Sequence, residues 1–173
     1  MRSNLLRMHS AWKDWSLSAS KDEDGWQSDF PRWSELMSAA MQAMCQSTEL
    51  DDAEWQALES CWDISEEGEE LLEYASEHIE ECWPAIEVLA TSTLATCRWQ
   101  VYEAAASAGK NAEPLLRKAL EDQDTYARRR AILALARIKP DEGKALAQSL
   151  LEDADPYIRK AALYLVQTCT VSD

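Results

Sequence analysis

Apolar residues recur at three- and four-residue steps along this chain, the period of an amphipathic helix. Leu5, Met8, Trp12 and Trp15 fall near one face of a helix over 3–19. The polar stretch SKDEDGWQSD, 20–29, contains Gly25 and reads as a loop. Pro31 then stands where a first helical turn tolerates it, ahead of Trp33, Leu36, Met37, Ala40, Met41 and Met44 at helical spacing. Asp51 or Asp52 can cap a third helix, whose apolar positions are Trp55, Leu58 and Trp62. Ser65 is placed to cap a fourth, EEGEELLEYASEHIEECW, with Leu71, Leu72, Ala75, Ile79 and Cys82 inward and an almost pure glutamate face outward.

From about residue 79 the pattern repeats. LEDQDTYARRRAILAL (120–135) and LEDADPYIRKAALYLV (151–166) superimpose at an offset of 31 residues. The match runs through Asp122/Asp153, Asp124/Asp155, Tyr126/Tyr157, Arg128/Arg159 and Ala131/Ala162. Each unit reads as a short helix, a tight turn and a longer helix: 113–121, 122–124 and 125–138 in the middle unit, where Lys139-Pro140 ends the second helix. In the last unit the first helix spans 143–151 and the turn 153–155, and Pro156 opens a helix through Gln167. A degenerate earlier unit fits at an offset of 30, aligning Pro84 with Pro114, Ile86 with Leu116, Arg98 with Arg128 and Ala104 with Ala134. Ser92 and Leu94 stand there in place of the two turn aspartates. The expected division is an N-terminal acidic helical region, 1–78, followed by units at about 79–111, 112–142 and 143–173.

The motif Leu-x-Asp-x-Asp-x-x-x-Arg-x-x-Ala resembles HEAT-like repeats, specifically the short bacterial kind also seen in phycobilisome lyase proteins. The resemblance covers 79–173 and implies an all-α solenoid of about three helical pairs with an N-terminal helical cap. It says little about activity. The turn aspartates are suited to cap the second helix of each pair, and Arg128 and Arg159 to reach back to a turn carboxylate or carbonyl. Ala131, Ala134, Leu135 and Ile138 face the core, so most of the conspicuous charge in the motif is architectural. In such solenoids the second helices line the concave face. Two rows then become surface candidates: Trp99, Arg129 and Lys160, and Glu103, Leu133 and Tyr164. Packing against a neighbouring helix is the equally simple alternative for them.

Charge sharpens the picture. The net charge of −15 is concentrated in residues 1–90, which hold 21 acids and 5 bases, whereas 91–173 hold 11 acids and 12 bases. No Lys or Arg occurs between Arg32 and Arg98, a stretch with 16 acids. Ordinary solvated helices mix signs to gain i,i+4 pairs, so the missing cations point to a basic protein partner and away from nucleic acid and anionic lipid. Arg128, Arg129, Arg130 and Lys160 form only a small basic patch against that field. Five irregularly spaced cysteines with no CxxC pair, and only two histidines, predict reduced thiols, no metal and no cofactor. The N-terminus lacks the pattern of a secretory signal, and no apolar run is long enough for a membrane span, so the cytoplasm is expected.

No nucleophile-base pairing, P-loop, HExxH or dinucleotide fingerprint occurs, and a non-catalytic protein-binding module is expected. Stand-alone short HEAT-like proteins resemble, among others, immunity proteins encoded beside bacterial antagonistic toxins. That resemblance implies an antitoxin whose acids occlude the basic active site of a toxin acting on NAD or nucleic acid. The expected contacts are Glu66, Glu67, Glu69, Glu70, Glu73 and Glu77 on the acidic helix, with Trp99, Glu103, Arg129, Lys160 and Tyr164 on the solenoid. An assembly scaffold or adaptor is the alternative, and a phycobilin-lyase-like helper a more distant one.

Overall fold

The computed structural model describes residues 3–18, 27–65 and 69–168, which form helices and turns with no strand among them. The N-terminal part contributes α1 (Asn4–Ser18), α2 (Trp33–Cys45) and α3 (Asp52–Ile64). Next come α4 (Glu70–Glu77) and α5 (Ile79–Leu89), then α6 (Ala95–Ala105), α7 (Glu113–Ala119), α8 (Thr125–Ile138), α9 (Pro140–Ser149) and α10 (Pro156–Thr168). The architecture is an all-α solenoid. Helices α6, α8 and α10 pack in succession, with α5, α7 and α9 stacked beside them, while α1, α2 and α3 cover the opposite end. None of the described helices is long and apolar enough to cross a membrane. The expected loop over 20–29 lies outside the described residues as far as 26, and Gln27–Asp29 form a short 3-10 helix.

Local chemistry explains where the helices begin. Asp51 accepts from the Glu54 backbone N–H at 2.9 Å while Glu54 accepts from the Asp51 N–H at 3.0 Å, a reciprocal capping box that starts α3. Pro114 and Pro140 stand in the first turns of α7 and α9, where no intrahelical N–H is needed. The α9 start corrects the expected boundary. Lys139-Pro140 ends α8 and opens α9 at once, ahead of Gly143.

Helix α6 lies at the centre. Cys97, Trp99, Gln100, Val101, Tyr102, Ala104 and Ala105 are all buried, so this helix is apolar nearly all round and touches α3, α4, α5 and α8. Its one buried amide, Gln100, donates to the carbonyls of Trp62 at 2.8 Å and Thr96 at 2.9 Å. Burial pushes the Cys61 and Cys97 thiols up to about 12, so both stay protonated at neutral pH. At the other end of the stack α8 and α9 approach closely at Gly143, where a Cβ would lie 2.5 Å from the Ala136 Cβ.

The acidic helix is not the single element expected. Ser65 does not cap it: this residue is the buried C-cap of α3, its hydroxyl donating to the Trp62 carbonyl at 3.4 Å. Glu69 precedes α4 in the left-handed region (φ 53°), and the helix closes at His78, whose ring stacks on Tyr74 at 4.2 Å. Helix α5 then starts afresh and carries Pro84 in its interior rather than at its start. The apolar period runs unbroken through His78, so periodicity could not reveal the break. Packing sets it, since α4 and α5 each dock separately on α2 and α6.

Candidate functional site

The repeat turns decide which charges remain for other work. Asp122 accepts from the Asp124 N–H, and Asp153 from the Asp155 N–H, both at 2.8 Å. Asp124 caps α8 through the Ala127 N–H, and Asp155 caps α10 through the Tyr157 and Ile158 N–H groups. Arg128 and Arg159 each donate to the carbonyl six residues back, Asp122 and Asp153, at 2.7 Å. Arg98 makes the same contact to Ser92 at 2.9 Å, although its turn has no aspartate. Its other nitrogens reach forward as a bidentate pair on Asp122, both at 2.7 Å, and the Tyr102 hydroxyl donates to that carboxylate at 2.8 Å. Only 3% of the Asp122 side chain is exposed. Burial opposes its ionisation, but the Arg98, Asp124 and Tyr102 hydrogen bonds outweigh that and hold the carboxyl below its ordinary range. These residues hold turns together and join one unit to the next.

Three of the remaining sequence-predicted residues meet in one cleft. Glu73 and Glu77 project from α4 and Glu103 from α6 into a cavity of about 620 Å³, which Leu72, Ser76 and Arg137 help to line. Glu103 is the fixed member, with 9% of its side chain exposed. Arg130 approaches it at 3.1 Å, and Arg137 reaches in from the end of α8 to its other oxygen at 2.5 Å. Glu73 and Glu77 are exposed and have no ion pair among the described residues. The cleft therefore holds three carboxylates around one guanidinium that is itself 54% exposed.

The other expected contacts divide differently. Glu66 and Glu67 lie outside the described residues. Glu70 is half-buried and accepts from the Trp33 indole N–H at 2.8 Å, which fastens α4 to α2. Trp99, expected on the surface, is 4% exposed. Its ring meets Tyr126 edge-on at 5.5 Å and carries the Arg130 guanidinium at 4.7 Å, so it is packing for α8. Arg129 lies 4.6 Å over Tyr126 and 6.0 Å from Tyr157, while Lys160 and Tyr164 are exposed on α10. Sequence reasoning passed over Arg137, Tyr126 and Tyr157. Both tyrosines sat inside the matched repeat and were absorbed into its turn, although a ring kept at one register in two units was the available signal. Nothing in the sequence marked Arg137 as the partner of a glutamate 34 residues away.

Residues 112–167 match the family model for HEAT repeats. This stretch of the chain is similar to HEAT repeats. It holds α8, with the two arginines that close on Glu103, and α10, with Lys160 and Tyr164. Stacked repeats of this kind provide extended surfaces for contact with other proteins, and Arg137, Lys160 and Tyr164 stand on the longer helices of these pairs. No curated protein and no solved structure shows a significant match to the chain.

Proposed function

We propose that this protein is a non-catalytic binding module that captures a basic protein through the cleft formed by Glu73, Glu77 and Glu103. The observation that supports it is Arg137. A guanidinium of the chain's own already sits in this cleft against Glu103, leaving two exposed carboxylates unmatched beside it. A partner's arginine or lysine entering there meets acids from a stretch, between Arg32 and Arg98, that carries no cation of its own. The field of the surrounding acids accelerates encounter, and Glu73 and Glu77 are the carboxylates left to receive the partner's cation.

The partner class that fits is a toxin with a basic substrate site for NAD or nucleic acid, the chain acting as its immunity protein in a bacterial cytoplasm. The charge segregation favours this over a neutral adaptor role. Two measurements test the proposal. A fluorescein-labelled arginine-rich peptide binds the intact protein with an affinity that falls as salt rises, and Glu73→Lys with Glu77→Lys weakens it about tenfold, worth roughly 1.4 kcal/mol. Unchanged affinity in that variant rejects the cleft. Co-expression with the product of the adjacent gene tests the antitoxin role: growth arrest relieved by the wild type, and not by the double variant, is the expected result.

A further inference from the structure

The face opposite in charge to the acidic helices is also organised. Helices α8 and α10 together hold six cations, Arg128, Arg129, Arg130, Arg137, Arg159 and Lys160, and no carboxylate. Arg130 and Arg137 are taken by Glu103, and Arg128 and Arg159 donate to their turn carbonyls. Arg129 is different. Its guanidinium stacks at 4.6 Å over Tyr126, with Tyr157 at 6.0 Å, its buried Nε has no acceptor, and no carboxylate pairs with it among the described residues. One row therefore runs from Trp99 through Arg130, Tyr126 and Arg129 to Tyr157, alternating ring and cation. Lys160 and Tyr164 continue it along α10, where Tyr157 and Tyr164 are 62% and 60% exposed.

We propose that this row is a second docking surface, and that its occupant is an acidic segment of another protein. An arginine held flat by aromatic rings loses little side-chain freedom when its planar fork meets a carboxylate. Exposed tyrosines on both sides add apolar contact at small entropic cost, the usual anchors of a protein interface. Two of the rings are poor platforms for a nucleic-acid strand: Arg129 and Arg130 already lie against Tyr126, and Trp99 is buried, which leaves only Tyr157 and Tyr164 for bases to stack on. Helices α3, α4 and α5, with ten carboxylates and no cation, further repel a polyphosphate. A peptide carrying a few carboxylates among aromatic or aliphatic residues suffers far less of that repulsion.

The test uses the intact protein and a short fluorescein-labelled peptide alternating glutamate and tyrosine, followed by anisotropy at low salt. Saturable binding is expected. Arg129→Glu weakens it by about tenfold or more, and Arg129→Lys, which keeps the charge but loses the stacked fork, gives an intermediate loss. Glu73→Lys with Glu77→Lys does not weaken it, so this surface and the acidic cleft stand or fall separately. Melting curves confirm that each variant is folded. Absence of binding by the wild type, or equal binding by folded Arg129→Glu, overturns the proposal. Tighter binding of oligothymidylate, lost in the same variant, reassigns the row to nucleic acid. A reversible dimer in sedimentation that Arg129→Glu abolishes assigns it to a second copy of the chain instead.

Discussion

At the scale of single residues, Gly143 carries an inverted expectation. Replacing a mid-helix glycine by alanine normally stabilises by about 1 kcal/mol. Here the new methyl would meet the Ala136 Cβ at 2.5 Å and its Cα at 2.6 Å, both of them close to the backbone and unable to swing away. Gly143→Ala is therefore expected to destabilise, by about 1–3 kcal/mol as overpacking does. Adding Ala136→Gly should recover much of the loss, and thermal melts of the three variants decide it. His9 gives a second expectation. Burial, followed by the Lys13 charge, lowers its imidazole from 6.5 to about 4. A group whose folded value is depressed contributes stability present above 6.5 and lost as pH falls toward 4, because the unfolded chain takes up the proton first. His9→Leu should flatten the stability profile over that window while changing it less at pH 7. An unchanged slope between pH 6.5 and 4 would remove His9 from the acid response.

At the scale of elements, the turn carboxylates do two jobs in one place. Asp122 orders its own turn through the Asp124 N–H and receives Arg98 and Tyr102 from the preceding unit. Removing it leaves a nearly buried guanidinium without its counter-charge, so Asp122→Ala should cost about 3–5 kcal/mol. Asp153→Ala, which loses only its own turn's contacts, should cost far less, and equal losses would show that the forward tie is unimportant. The repeat was legible because this chemistry is local: aspartate caps, turn carbonyls and alanine seams recur at fixed spacing and need no knowledge of the rest of the chain. The N-terminal helices were legible as helices for the same reason. What stayed hidden depends on distance. The break at His78, the burial of Trp99 beneath Arg130, and the grip of Arg137 on Glu103 all arise from contacts between elements. Of the candidate site, then, the acids were visible and their grouping was not: Glu73, Glu77 and Glu103 share a cleft, while Glu70 is spent on Trp33.

At the scale of the whole molecule, acids and cations occupy different helices of one solenoid, and the joints between its units are correspondingly unequal. The Arg98–Asp122 joint is nearly buried. The next one has no such lock: among the described residues no ion pair links Arg128 to Asp153, and α7 is tied to α9 by an exposed network of Arg117, Glu113, Lys139 and Glu142. Exposed pairs of this kind contribute little individually and are screened by salt. The apolar cluster beneath α9 and α10 is also small, with Ile132, Ala136, Ala147, Ile158, Ala162 and Leu165 as its buried members. In a linear array, where each unit leans only on its neighbours, unequal joints mean an order of release. The α9–α10 hairpin should detach before the remainder unfolds, seen as amides that exchange hydrogen at a lower free energy than those of α6. Raising salt should widen that gap. The strip bearing Lys160 and Tyr164 would then be the part of the molecule that opens most often, so a ligand seated across α8 and α10 would act as a staple and raise hydrogen-exchange protection in α9, which it never touches.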